Sequence, residues 1–202
     1  MHTNKIAIFG ALVLSFIIMT TGFQMSSINV YHVPQIFAVD MQDEIKGKIL
    51  PATPITYDQL AKSERKQIDC LAKNIYYEAG YEPRLGWTAV AAVTMNRVLS
   101  GNYADSICGV VYQNNGRTYQ FSWVGMKNRL SKINEDVYNE ILKVATNIYL
   151  NYNPAIHDPT KGATYYHADY VNPRWKLEKV KKIGAHIFYR NKRDVENIGI
   201  AL

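Results

Sequence analysis

The residue whose type and place suggest chemistry is Glu78, in the stretch Cys70-Leu-Ala-Lys-Asn-Ile-Tyr-Tyr-Glu-Ala-Gly-Tyr-Glu-Pro83. A glutamic acid kept protonated near neutral pH can hand its proton to the bridging oxygen of a glycosidic bond. Most glycosidases pair two carboxylates for this task, and no convincing partner for Glu78 is visible. Glu82 lies four residues later, but Gly80 interrupts the helical register, so Glu82 reads as a surface or loop-capping residue. Asp105, Asp158 and Asp169 each sit beside turn or cap signals that explain them without chemistry. The competing reading of Glu78 is a half-buried carboxylate satisfied by a Lys or Arg.

The element that must position Glu78 is an amphipathic helix. Ile68, Leu71, Ala72, Ile75 and Ala79 recur at the spacings of one helical face. Glu78 follows Ile75 by three and Leu71 by seven, so a continuous helix aims it along the edge of that apolar stripe. Gly80 is expected to close the helix in the left-handed conformation, and Pro83 to open the next one. Partial burial and the negative end of the helix dipole would both disfavour the anion, raising the pKa toward that of a general acid.

These residues also carry a resemblance. Asn74 to Pro83, Gly86-Trp-Thr-Ala-Val-Ala-Ala-Val-Thr-Met-Asn-Arg-Val98, Ser106-Ile-Cys-Gly-Val-Val-Tyr-Gln113 and Gln120-Phe-Ser-Trp123 stand in the order found in the cell wall hydrolase family that includes the spore-cortex-lytic enzymes. Asp158-Pro-Thr-Lys-Gly-Ala-Thr-Tyr-Tyr-His-Ala168 and Ile183-Gly-Ala-His-Ile-Phe-Tyr189 extend the likeness over residues 68 to 190. It implies an α+β, lysozyme-like fold, mostly helical with small β-hairpins; periodicity alone gives only a mostly α chain with a little β. It also implies a lytic transglycosylase that cleaves the bond between N-acetylmuramic acid and N-acetylglucosamine with one catalytic acid, Glu78, and no cofactor. A lone acid suits that reaction, because the sugar's acetamido group can stabilise the cation and its 6-hydroxyl can attack in place of water. The Tyr165 to His167 block borders the site in the family, so Tyr166 and His167 join Gln120 and Ser122 as expected substrate contacts. Many members have Arg and Gly before the second Glu where this chain has Gly80-Tyr81.

The rest of the chain supplies a frame. Residues 1–23 hold one Lys and then an apolar run over 6–23, read as an N-terminal hydrophobic helix that is a signal peptide or a membrane anchor. Lys5 before the run and Asp40, Asp43 and Glu44 after it orient the remainder outward, to the periplasmic or extracytoplasmic face. Residues 24–57, with Pro34, Pro51 and Pro54, read as a linker; residues 58–190 as the hydrolase domain; residues 191–202 as a polar, loosely held tail.

Within the domain, Asp58 or Ser63 is a candidate cap for the first helix, which runs to Ala79. A second helix covers 84–99 and stops at Gly101; Asp105 caps a short turn through Tyr112. Asn114-Asn-Gly116 turns into a strand over 118–124, where alternation points Gln120 and Ser122 to the cleft and Phe121 and Trp123 away. Asn134 opens a third long helix ending before Asn153-Pro154, and 163–167 and 185–189 read as two strands.

Composition bounds the alternatives. The net charge is +6 with Lys5 the one basic residue before Lys46, so the remainder is more basic than the total, which suits an acidic wall polymer, peptidoglycan. No zinc-finger spacing, basic region or reading motif supports a nucleic-acid partner, and the sequence is silent on oligomeric state. In an oxidising compartment Cys70 and Cys108, the two cysteines, are a disulfide candidate, with free buried thiols as the alternative. A zinc amidase using His157, His167, Asp169 and His186 lacks an organising spacing. A Cys-His peptidase is weaker still, since Cys70 has Cys108 as a pairing candidate; a non-catalytic wall-binding scaffold is the rival from another class.

Overall fold

The computed structural model describes residues 55–200; the expected N-terminal helix and nearly all of the expected linker lie outside them. Six helices and one small antiparallel sheet make an α+β domain that is mostly helical. The helices are α1 (Lys62–Ala79), α2 (Arg84–Ser100), α3 (Ile107–Tyr112), α4 (Glu135–Asn151), α5 (Pro154–His157) and α6 (Lys192–Ile198). The strands are β1 (Tyr165–Ala168), β2 (Glu178–Ile183) and β3 (His186–Arg190), in the order β1-β3-β2. No helix among the described residues is long and apolar enough to cross a membrane.

The apolar stripe of α1 is the centre of the larger core: Ile68, Leu71, Ala72 and Ile75 are fully buried against α3, α4 and the segment around Phe121 and Trp123. Ala89 and Val93 of α2 pack instead on Ile183 and Phe188 of the sheet, and Tyr166 touches both cores. Helices and sheet therefore meet along one seam.

Several local expectations are corrected. Ala61, not Asp58 or Ser63, precedes the first turn of α1, and its N–H is taken by the Glu64 carboxylate at 2.9 Å. Gly80 is right-handed (φ −56°, ψ −26°), its N–H still bonded to Tyr76 O; the chain turns over Ala79 to Glu82 and enters α2 after Pro83. Ser106, not Asp105, caps α3 through the Gly109 N–H. The strand expected over 118–124 is a lone bridge between Asn114 and Tyr119 followed by a 3-10 segment, Ser122–Arg129. Phe121, Trp123 and Val124 all bury, and three inward residues at that spacing suit a helical turn and not a two-residue alternation.

The tail is also held. Asn191 caps α6, and Asp194, 2% exposed, accepts from Thr164 Oγ1 at 2.6 Å, Asn102 Nδ2 at 2.7 Å and Tyr103 OH at 3.3 Å. The second and third helices match the sequence reading: α2 stops at Gly101 (φ +67°), and Asn134 accepts from the Val137 N–H to start α4.

Candidate active site

Glu78 stands on the last turn of α1, partly buried. Three side chains fix that turn. Asn74, fully buried four residues earlier, donates to Thr94 Oγ1 on α2 at 3.1 Å and accepts from Trp123 Nε1 at 3.0 Å. Trp87 Nε1 donates to the Ala79 carbonyl at 2.9 Å, satisfying one of the acceptors that a helix end leaves free. From the sheet, Tyr166 OH donates to Glu78 Oε2 at 3.0 Å. Among the described residues, no Lys, Arg or His nitrogen lies within 4.0 Å of the Glu78 carboxylate.

The electrostatics follow from this packing. Burial pushes the Glu78 pKa upward, partly opposed by the Tyr166 hydroxyl and the Arg97 guanidinium, which both favour the anion. Burial, and next the Glu78 carboxylate, hold the Tyr166 phenol well above its ordinary range, so it stays a donor. The result is a carboxyl whose proton affinity is raised by burial, beside a hydroxyl donor that stabilises its anion.

Arg97 went unread in the sequence as one residue of an Ala- and Val-rich helix. It is 5% exposed, donates from Nε to the Thr164 carbonyl at 2.8 Å, and lies 5.3 Å from the Tyr103 ring centroid and 5.1 Å from that of Phe121. Its Nη1 is buried without a hydrogen-bond partner. The available signal was a charge four residues after Val93 and seven after Val90, on the buried face of the helix.

Glu82 reaches across the fold instead of capping its own loop. Its Oε1 accepts from the Ala185 N–H at 3.0 Å and lies 3.0 Å from His186 Nδ1. The carboxylate fits between Gly86 and Gly184, where a Cβ on either glycine would overlap it. The His186 ring stands perpendicular to Tyr166, centroids 5.0 Å apart. Glu82 thus ties the turn between β2 and β3 to the start of α2, and His186 steadies the ring whose hydroxyl meets Glu78.

The other sequence-chosen residues are only partly brought together. Tyr166 and His167 point to opposite faces of β1, so Tyr166 alone reaches Glu78. His167 donates from Nδ1 to the Ala168 carbonyl at 2.8 Å, since a carbonyl can only accept, and its Nε2 is 3.0 Å from the Tyr189 hydroxyl. Gln120 and Ser122 are exposed, and neither side chain hydrogen-bonds within the described residues. Cys70 and Cys108 are joined by a disulfide that fastens α1 to α3.

The four residues weighed as zinc ligands are engaged separately. His157 Nδ1 takes the Asn153 N–H, Asp169 pairs with Lys182 at 2.8 Å, His167 bonds to Ala168 and Tyr189, and His186 faces Glu82. Among the described residues they form no ligand cluster. A cavity of about 390 Å³ between α2, α4 and α5 is lined by Arg84, Thr88, Lys143, Asn147, Asn151 and His157, among others, with no carboxylate in its wall.

Comparison with known proteins finds relatives of the chain. The spore cortex-lytic enzyme of Halalkalibacterium halodurans is 30% identical over 158 residues, covering 75% of this chain and 41% of that protein. The spore cortex-lytic enzyme of Bacillus cereus is 32% identical over 127 residues, 61% of this chain and 44% of the relative. The chain thus spans less than half the length of these curated relatives. Two solved structures are 29% identical. The catalytic domain of the Bacillus cereus SleB protein has a TM-score of 0.47, over 62% of this chain and 91% of that one. The catalytic domain of a germination-specific lytic transglycosylase, SleB from Bacillus anthracis, has a TM-score of 0.48, over 65% and 97%. A family model described as Cell Wall Hydrolase matches residues 81–189, from just past Glu78 to the end of the sheet. With more than half its length under that match, the chain belongs to the cell wall hydrolase family.

Proposed function

We propose that this protein degrades peptidoglycan as a lytic transglycosylase, cleaving between N-acetylmuramic acid and N-acetylglucosamine with Glu78 as its single catalytic acid. The observation that carries this reading is a buried-edge glutamic acid, its proton affinity raised by burial, with Tyr166 OH 3.0 Å from the oxygen that would bear the charge. Membership of the family and the cortex-lytic activity named for its relatives support the same substrate.

In the first step Glu78 gives its proton to the bridging oxygen and the bond to C1 of the muramic sugar breaks. The acetamido group of that sugar supports the cation. Glu78, now an anion held by the Tyr166 hydrogen bond, takes the proton of the 6-hydroxyl as that oxygen bonds to C1, closing a 1,6-anhydro ring and restoring the acid. No second carboxylate is required; Glu82, whose Oε1 accepts from the Ala185 N–H beside His186, is given no part in the step.

An acid on a helix end facing a small β-element supports the lysozyme-like reading. Action outside the cytoplasmic membrane, with residues 6–23 as export signal or anchor, rests on the sequence pattern alone. Glu78→Gln keeps the shape and the Tyr166 contact but has no acidic proton: it should abolish wall lysis in a protein that melts as a folded domain. Retained lysis would refute the assignment, while lost lysis with lost folding would move the test to Glu78→Asp, which should be slow but measurable.

A further inference from the structure

The face of the sheet turned away from Glu78 carries a second set of rings, half-buried on the strands and exposed at Trp175. Cross-strand register sets Tyr165 of β1 beside Tyr189 of β3 and Lys179 of β2, and His167 beside Ile187 and Lys182. Strand alternation puts all six opposite Tyr166, His186 and Phe188, the residues facing the interior. None of Tyr165, His167, Ile187 and Tyr189 belongs to either hydrophobic core. Trp175 lies against this face, in edge contact with Tyr165, His167 and Tyr189 with centroids 5.8, 5.5 and 5.7 Å away, and 41% of its surface stays open.

Three ring contacts hold the indole in place, and a fixed, exposed aromatic loses little freedom when it takes a ligand. The surroundings are basic: residues 174 to 193 hold eight Lys or Arg and one acid, Glu178. Lys182 is paired with Asp169 at 2.8 Å, whereas Lys179 is exposed and borders Tyr189. Apolar rings with a cationic rim match a polymer of sugar rings that also bears carboxylates.

We propose that this outer sheet face is a second glycan-binding site, separate from the Glu78 cleft, where Trp175 and Tyr189 take the C–H face of an N-acetylated sugar and Lys179 meets a carboxylate of the same polymer. The proposal rests on peptidoglycan being the substrate. It makes the enzyme adhere to the wall through one face of the sheet while the other supports the acid. His167, expected to touch substrate at the cleft, belongs to this outer site.

The test uses the full chain carrying Glu78→Gln, so that the polymer is not cut. Sedimentation with purified insoluble peptidoglycan measures retention, and amide chemical shifts during titration with an N-acetylglucosamine tetramer locate the contact. Adding Trp175→Ala should weaken retention about tenfold or more, Trp175→Phe should recover most of it, and Lys179→Glu should weaken it several-fold and flatten its salt dependence. The tetramer should shift the amides of His167, Ile187 and Tyr189. Retention unaffected by both Trp175→Ala and Lys179→Glu, or shifts confined to Tyr166 and the end of α1, would overturn the proposal. Should the Ala variant melt early, the Phe and Lys179→Glu variants decide alone. Lysis that survives Glu78→Gln would instead overturn the assignment of the acid, leaving these binding results to be read on their own.

Discussion

Replacing Tyr166 with Phe removes one hydroxyl and leaves a ring that still packs between the two cores. The structure fixes what is lost: the 3.0 Å bond donated to Glu78 Oε2. A hydrogen bond to a charged group contributes about 1.5–3 kcal/mol, more than the same bond to a neutral acid, so this one strengthens as the Glu78 proton goes to the leaving oxygen. The transition state, in which that charge develops, loses most of this stabilisation. At about 1.4 kcal/mol per tenfold, kcat should fall roughly 10- to 100-fold while KM changes little.

The pH profile gives the sign. Tyr166 holds the Glu78 pKa down against the larger upward push of burial, so its removal leaves burial less opposed and moves the alkaline limb of kcat to higher pH. Rates on soluble peptidoglycan fragments across pH, for wild type and Tyr166→Phe, measure both effects. An alkaline limb that moves lower, or a loss appearing wholly in KM, would refute the assignment of Tyr166 as the donor to the catalytic anion.

Three further outcomes follow from the same geometry. Opening the Cys70–Cys108 bridge with paired Ser substitutions frees a loop of sequence separation 38; chain entropy sets the cost at about 4 kcal/mol, and a urea-unfolding loss below about 1 kcal/mol would contradict it. Asp194→Ala strands the buried Thr164 hydroxyl and removes the acceptor of the half-buried Tyr103 hydroxyl and the exposed Asn102 amide, so it should cost about 2–3 kcal/mol by the same measurement, with Asp194→Asn costing less. Because the folded-state pKa of Glu78 is raised, the wild type loses stability as pH rises from the ordinary carboxyl range through that raised value. Glu78→Gln should therefore melt above wild type at neutral pH and match it in acid; an equal difference at every pH would contradict the burial argument.

Much of the helical frame was legible because it obeys local rules. The stripe from Ile68 to Ala79 gave α1 and put Glu78 at its edge, Gly101 marked the end of α2, and Asn134 the start of α4. Strand β2 was missed because Glu178-Lys-Val-Lys-Lys182 shows no apolar alternation. It is an edge strand, and lysines are how such edges avoid further pairing. At 118–124 the sign was present and misread: Val124 directly after Trp123 breaks a two-residue period.

The site was half legible. Glu78 could be placed from its own helix, and Tyr166 only as a residue of a bordering block. Glu82 and Arg97 could not be given their roles, because those depend on contacts with Ala185 and Thr164, which lie 103 and 67 residues away. Gln120 and Ser122 were chosen on a strand alternation that does not exist here, and their exposed side chains make them contacts only for a ligand seated above the 3-10 segment.

The most direct test of the central claim is sugar analysis of peptidoglycan digested in parallel by wild type and Glu78→Gln. The wild type should leave 1,6-anhydro-muramic ends and a folded variant no new ends. Anhydro sugars released equally by both proteins would contradict it, and hydrated reducing ends alone from the wild type would leave a muramidase in place of a transglycosylase.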